Sequence, residues 1–160
     1  MASLATKIPG ATASHSVACG NVFMALRVAL ADESYRIFMS GMRVRVPSGP
    51  CFFPDLSVAS EERFEEDIHG DILLNPILVI EVFSRITEVY DRTEKLRRYK
   101  RIPSLHEYVL ISESEPHVES FLRQPENKWL QTEVEGLDGS IQLTAVPVLL
   151  KLADIYQNIL

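Results

Sequence analysis

The run Pro76–Phe83, PILVIEVF, constrains this chain more than any other stretch. It has the length of a strand and is almost continuously apolar. A strand with one wet face alternates apolar and polar residues, and this one does not. It therefore reads as a strand covered on both faces, which demands a layer of structure on each side. Glu81 breaks the pattern. A carboxylate inside a buried strand costs roughly several kcal/mol to keep ionised unless a cation compensates it. A basic partner such as Arg85 or Lys95 would make Glu81 half of a structural ion pair. A divalent metal ion would make it a ligand.

The flanking sequence supplies the covering layers. Ser14 offers an N-cap to HSVACGNVFMALRVALA, in which Val17, Val22, Ala25, Leu26 and Ala29 fall on one helical stripe. Tyr35–Val46 reads as a strand broken near Gly41, Pro47–Pro50 as a turn, and Phe52–Ala59 as a second strand. The acidic stretch 60–75 reads as a surface loop. Thr87 is placed to cap a helix running to about Arg101, with Val89, Leu96 and Tyr99 inward and Pro103 ending it. Strands follow at Glu107–Ser112, His117–Arg123 and Lys128–Val134, then a short one near Ile141 and a closing helix over Leu149–Gln157. The expected architecture is an α/β (α+β) fold in which one central mixed β-sheet is flanked by helices, a single domain over 1–160.

Composition excludes several classes. With 46% apolar and 24% charged residues the chain is neither fibrous nor disordered. The longest apolar run is far too short to cross a bilayer, and the N-terminus lacks the order of a secretory signal. Cys19 and Cys51 stand alone, without the second pair that a disulfide scaffold or a metal knot requires. A cytoplasmic address is the expectation. The net charge of −6 opposes nucleic-acid binding, which usually needs a basic face. That charge is segregated, however. Acids cluster at Glu61, Glu62, Glu65, Glu66, Asp67 and Asp71, whereas six of the sixteen basic residues fall between Arg92 and Arg101.

Glu81 gains meaning from its neighbours in order. Asp55, after Pro54 in another short strand, supplies a second carboxylate, and Asp91 and Lys95 follow on the basic helix. Hard divalent cations such as Mg²⁺ need only one or two carboxylates, the rest being water and phosphate. Phosphodiester hydrolysis uses such an ion to activate water and benefits from a nearby cation. Asp55 and Glu81 can hold the metal, and Lys95 can supply the cation. Asp91, one turn before Lys95, suits an ion-pair role equally well. His69, His106 and His117 show no metal-ligand spacing.

The block PDLSV … NPILVIEVFSRITEVYDRTEKLRRYKRIPSLHEYVLIS resembles the Uma2 family (DUF820) of restriction endonuclease-like proteins, similar in fold to the PD-(D/E)XK nucleases. The specific run is EVFS, then Thr87, then YDRTEK and Tyr99. The resemblance extends weakly from His15 to the closing LADIY. It implies a restriction endonuclease-like fold, Asp55 and Glu81 as metal ligands, and Lys95 as the catalytic lysine, since Phe83 occupies the usual lysine position. By analogy with the wider superfamily the Val82 carbonyl is a further ligand. Ser84, Arg92 and Arg98 are the expected nucleic-acid contacts. His15 corresponds to a recurrent family histidine, with a capping or surface role as the alternative. Two departures stand out. The family's usual N-terminal segment is expected to be missing, and Gly41 takes the place of a family aspartate.

Two functions follow as expectations. The first is a Mg²⁺- or Mn²⁺-dependent endonuclease acting on nucleic acid, DNA in particular. The second is a member that kept the fold and lost the chemistry, serving as a nucleic-acid-binding or protein-interaction module. A third treats Glu81 as a purely structural carboxylate in a stability-only partner subunit. A sheet edge left open by the missing segment makes a homodimer the expected assembly in each case.

Overall fold

The structure, a computed structural model, describes residues 11–159. In chain order its elements are helix α1 (Ala13–Ala29), strands β1 (Tyr35–Met39), β2 (Arg43–Val44), β3 (Leu56–Ser60), β4 (Phe64–Asp67), β5 (Gly70–Leu73) and β6 (Leu78–Phe83), then helix α2 (Glu88–Tyr90), a π-helical segment (Asp91–Lys95) and helix α3 (Leu96–Tyr99) in one continuous run. Strands β7 (Glu107–Ser112), β8 (His117–Arg123), β9 (Trp129–Glu135), β10 (Ser140–Gln142) and β11 (Leu149–Lys151) and helix α4 (Leu152–Ile155) complete it.

The expected central mixed sheet flanked by helices is what forms. Six strands lie in the order β1-β3-β6-β7-β8-β9, and β6 against β7 is the one parallel pairing within that sheet. The connection between those two strands contains the 88–99 helical run, the crossover that a parallel pair requires. Every residue of β6 is buried, as the unbroken apolar run dictates. Its even-numbered residues Leu78, Ile80 and Val82 pack with Ala18, Val22 and Leu26 of α1 and with Leu150 and Tyr156. Its odd-numbered Val79 and Phe83 pack with Leu96, Tyr99, Tyr108 and Phe121 on the other face. Burying each such Leu, Ile or Phe stabilises the fold by roughly 1.5–3 kcal/mol. Glu81 shares the odd-numbered face, so it points toward the 88–99 run.

Five local expectations are revised. Thr12, not Ser14, caps α1: its side-chain oxygen accepts from the His15 N–H at 3.0 Å. The 35–46 strand is interrupted near Gly41 as expected, but its halves join different sheets, with β2 entering a three-stranded sheet β2-β5-β4. The stretch 60–75 is not a loop. It folds into the β4–β5 hairpin, where Gly70 (φ 106°) supplies the left-handed turn conformation. Exposed Glu65 and Asp67 there meet Arg45 and Arg43 at 2.6 and 2.7 Å, so the acid-rich composition that suggested a loop is a cross-strand charge pattern. Val89 is 73% exposed rather than inward, because the π-helical turn carries an extra residue and rotates α3 relative to α2. The closing segment is strand β11 followed by only a short helix, because Leu149–Lys151 pairs with β10. Among the described residues no helix is long and apolar enough to cross a membrane.

Candidate active site

The antiparallel pairing of β3 with β6 sets Leu56 opposite Ile80, and the register continued by one step brings Asp55 opposite Glu81. Asp55 thus stands at the start of one strand beside the carboxyl end of its neighbour. It is also where the two helical layers converge. His15 reaches it from α1, and Lys95 and Tyr99 reach Glu81 from the 88–99 run. The carboxyl ends of parallel strands in open α/β sheets are the usual place for a ligand site.

Each carboxylate is oriented through one of its oxygens. The Val82 N–H donates to Asp55 Oδ2 at 2.8 Å. Glu81 Oε1 accepts from the Tyr99 hydroxyl at 2.9 Å and lies 2.6 Å from Lys95 Nζ. The second oxygens differ. Asp55 Oδ1 lies 3.1 Å from His15 Nε2, and Glu81 Oε2 receives only a long contact, 3.4 Å, from the Asp55 N–H. Asp91 Oδ1 is 3.4 Å from Lys95 Nζ, and the Tyr108 hydroxyl donates to the Asp91 carbonyl at 3.3 Å.

The electrostatics show a site short of positive charge. Glu81 is 3% exposed, and burial pushes its carboxyl up to about 7 even though Lys95 pulls it down. Burial also disfavours the Lys95 ammonium, but Glu81, then Asp91 and Asp55, outweigh it and hold its pKa above the ordinary lysine value. The Tyr99 hydroxyl is raised well above its usual range, by burial first and by Glu81 second, so it stays a donor. His15 is raised to about 10, chiefly by its hydrogen bond to Asp55 and next by Cys19. One lysine and one imidazolium therefore face three carboxylates, those of Asp55, Glu81 and Asp91. Hard oxygen donors, a charge deficit and the weakly engaged Glu81 Oε2 suit a divalent cation.

A cleft of about 560 Å³ adjoins this cluster, lined by Thr12, His15, Val82, Ser84, Arg85 and Thr87 among others. Asp55, Glu81 and Lys95 come together as the sequence order suggested, and Val82 and Ser84 open onto the cleft. Arg92 and Arg98 are elsewhere engaged. The Arg92 guanidinium lies 5.0 Å from the Phe83 ring centroid and pairs with Glu88 at 2.9 Å and with buried Glu119. Arg98 is held by Glu94 at 2.7 Å. The partner of Glu81 is Lys95, and Arg85 makes no ion pair among the described residues. Two site contacts escaped sequence reasoning, although Tyr99 was expected to be buried and His15 to match a family histidine. The hydroxyl contact of Tyr99 with Glu81 depends on the turn of the helix through its π-helical segment, which spacing does not report. The pairing of His15 with Asp55 joins positions forty apart, and no local spacing signals it. A second histidine–carboxylate cluster, His117 with Glu133 at 2.6 Å and Glu119 at 3.3 Å, forms across β8 and β9, where sequence spacing showed nothing.

A mixed sheet with paired carboxylates and a lysine at the end of its parallel strands places the chain in the restriction endonuclease-like class of folds. A solved structure supports the fold: that of "a putative nuclease belonging to DUF820" from Anabaena variabilis ATCC 29413 superposes with a TM-score of 0.72 at 19% identity, over 93% of this chain and 83% of that one. The chain belongs to the Uma2 family, described as "Putative restriction endonuclease", whose model matches residues 5–153. An uncharacterized Synechocystis protein, sll1609, is 32% identical over 142 residues, covering 88% of this chain and 80% of the relative. A second, slr1290, is 32% identical over 85 residues, 53% of this chain and 44% of that protein. The family's description supports a nuclease-like function, and with it nucleic-acid binding.

Proposed function

We propose that the chain is a divalent-metal-dependent endonuclease that hydrolyses phosphodiester bonds of DNA at the Asp55–Glu81–Lys95 cluster. The carrying observation is the charge-deficient pair of carboxylates, buried Glu81 and half-buried Asp55, with Lys95 Nζ 2.6 Å from Glu81 Oε1. Asp55 and Glu81 would hold Mg²⁺ or Mn²⁺, with the Val82 carbonyl as a further ligand. A bound ion supplies Lewis acidity and a water of lowered pKa. The residues of the chain do the rest. Val82 N–H and Tyr99 fix which carboxylate oxygens face the site, and Lys95 offers a desolvated ammonium to the charge that develops on the scissile phosphate. Ser84 and Arg85 on the cleft rim are placed to meet neighbouring phosphates. Arg92 and Arg98 would contribute to the same face only by sharing their guanidinium groups with the carboxylates that hold them.

The proposed setting is the cytoplasm. Among the described residues β1 pairs only with β3 and β9 only with β8, so an outer sheet edge is available for self-association into a homodimer.

Calorimetric titration of Mn²⁺ and Mg²⁺, with Asp55→Ala and Glu81→Ala as controls, tests the metal site, and nicking of supercoiled plasmid tests the chemistry. Saturable binding and nicking, both lost in the two variants with the fold intact, are expected. Plasmid binding that persists without either, in wild type and variants alike, would instead identify a binding module that kept the fold and lost the chemistry.

A further inference from the structure

We propose that His15, Cys19 and Asp55 form a site for a borderline-soft divalent cation, Zn²⁺ or Co²⁺ in character, sharing Asp55 with the Asp55–Glu81 pair. The site stands on its own geometry; only its consequence for activity rests on the nuclease reading. His15 and Cys19 are one turn apart on α1, so both present ligand atoms to the same spot beyond the helix. One ligand atom from each of the three residues lies within 4.8 Å of the others. His15 Nε2 is 3.1 Å from Asp55 Oδ1 and 4.0 Å from Cys19 Sγ, with Nδ1 at 3.9 Å from the sulfur.

A tetrahedral Zn²⁺ with ordinary bond lengths sets its N and O ligands about 3.3 Å apart and its N and S ligands about 3.6 Å apart. The His15–Asp55 and His15–Cys19 separations found differ from those by a few tenths of an ångström, and the sulfur and the carboxylate lie within 4.8 Å of each other, so side-chain rotation must close the set. Imidazole, thiolate and carboxylate leave the fourth position open, the ligand count of a reactive zinc site rather than a purely structural one. The set also discriminates. Mg²⁺ takes oxygen ligands and loses its waters reluctantly, so a thiolate and an imidazole disfavour it. Cys19 is a free, buried thiol, and His15 lines the 560 Å³ cleft, which gives an ion its way in. Binding displaces both the thiol proton and the proton that His15 carries beside Asp55. The His117–Glu119–Glu133 cluster offers no such case, because the Arg92 guanidinium already sits on Glu119.

Occupancy commits Asp55 Oδ1, already 3.1 Å from His15 Nε2, to the soft ion, so a soft ion would antagonise the hard ion the nuclease uses. Cobalt(II) titrated into the reduced, metal-free full chain tests the site directly. A near-ultraviolet thiolate-to-cobalt charge-transfer band is expected, saturating at one equivalent and bleached by Zn²⁺. Cys19→Ser and Cys19→Ala should each remove the band, and Cys51→Ser should leave it unchanged. Mn²⁺ heats measured on the Cys19 variants report the Asp55–Glu81 pair separately, so their absence would count against the nuclease reading alone. A folded wild-type chain that gives no charge-transfer band, or a band that survives in both Cys19 variants, overturns the proposal.

Discussion

Glu81 concentrates the conflict between stability and function in one side chain. Its carboxyl is raised to about 7, chiefly by burial, from an unfolded value near 4.5. The folded state therefore holds a proton that the unfolded state has released across that window. The stability Glu81 contributes is full below about pH 4.5 and is lost as pH rises through about 7. Glu81→Gln removes this titration while keeping an acceptor for Tyr99 and Lys95. Without metal, the melting temperature of Glu81→Gln minus that of wild type should rise by roughly 5 °C between pH 5 and pH 8. Added Mn²⁺ should then raise the wild-type melting temperature at pH 8 and leave the variant unmoved. Equal pH profiles for the two proteins would mean that Glu81 is ionised throughout. This residue was legible in the sequence because a lone acid in a buried strand is a physical contradiction that needs a cation. Lys95 was legible as that cation by its position on the next helix. Tyr99 was legible as a buried residue, yet its hydroxyl contact with Glu81 depends on how the helix is turned, which periodicity does not report.

The 88–99 run is the element whose sequence reading and structure differ most instructively. A regular helix from Thr87 would bury Val89 with Leu96 and Tyr99. The π-helical segment Asp91–Lys95 lets Asp91, Leu96 and Tyr99 face the sheet while Val89 faces solvent. Such turns are sequence-silent, since they arise where tertiary contacts outweigh the regular ladder. Here those contacts include Lys95 with Glu81 and Arg92 with Glu119 of β8. Arg92 thus ties the helix to the sheet, whatever it does for nucleic acid. Arg92→Ala leaves Glu119 buried with only His117 and Gln131 beside it, and should cost about 2 kcal/mol, roughly 6 °C in melting temperature. Arg98→Ala breaks a more exposed pair with Glu94 and should cost under about 0.5 kcal/mol. Thermal melts of the two variants give the comparison, and equal small losses would return Arg92 to the role of a free surface cation. The strands of the main sheet, by contrast, were read within a residue or two from β6 to β9: β6 and β7 are buried throughout, and the turn residues Glu115-Pro116 and Pro125-Glu126-Asn127 bound β8 and the largely exposed β9. The β4–β5 hairpin was missed for the opposite reason: its strands are short, and its acids are satisfied across the sheet by Arg43 and Arg45 rather than by local spacing.

At the scale of the whole molecule, the net charge of −6 and the basic run 92–101 were the two sequence observations in tension. The structure resolves much of it inside the protein. Arg92, Lys95, Arg97 and Arg98 each pair with a carboxylate of the chain. Lys100 lies 5.6 and 5.4 Å from the Phe121 and Trp129 ring centroids. Arg101 is left exposed and without an ion pair among the described residues, as is Arg85 at the cleft rim. A molecule built this way presents few uncompensated cations to a duplex, and its grip on DNA should rely on the metal centre and on close contacts in the cleft. With about three phosphates neutralised, log K should fall with log salt at a slope near −2.7, weakening binding about 40-fold between 50 and 200 mM salt. A continuous basic groove making 6–10 phosphate contacts would lose about 10³–10⁵ over the same range. Fluorescence anisotropy on a phosphorothioate duplex, with Mg²⁺ held constant, distinguishes the two. A steep slope would show that the ion pairs of the helix open on contact with DNA and that Arg92 and Arg98 then serve the phosphates. A shallow slope that falls further in Arg85→Ala, and not in Arg98→Ala, would put the electrostatic footprint at the cleft rim.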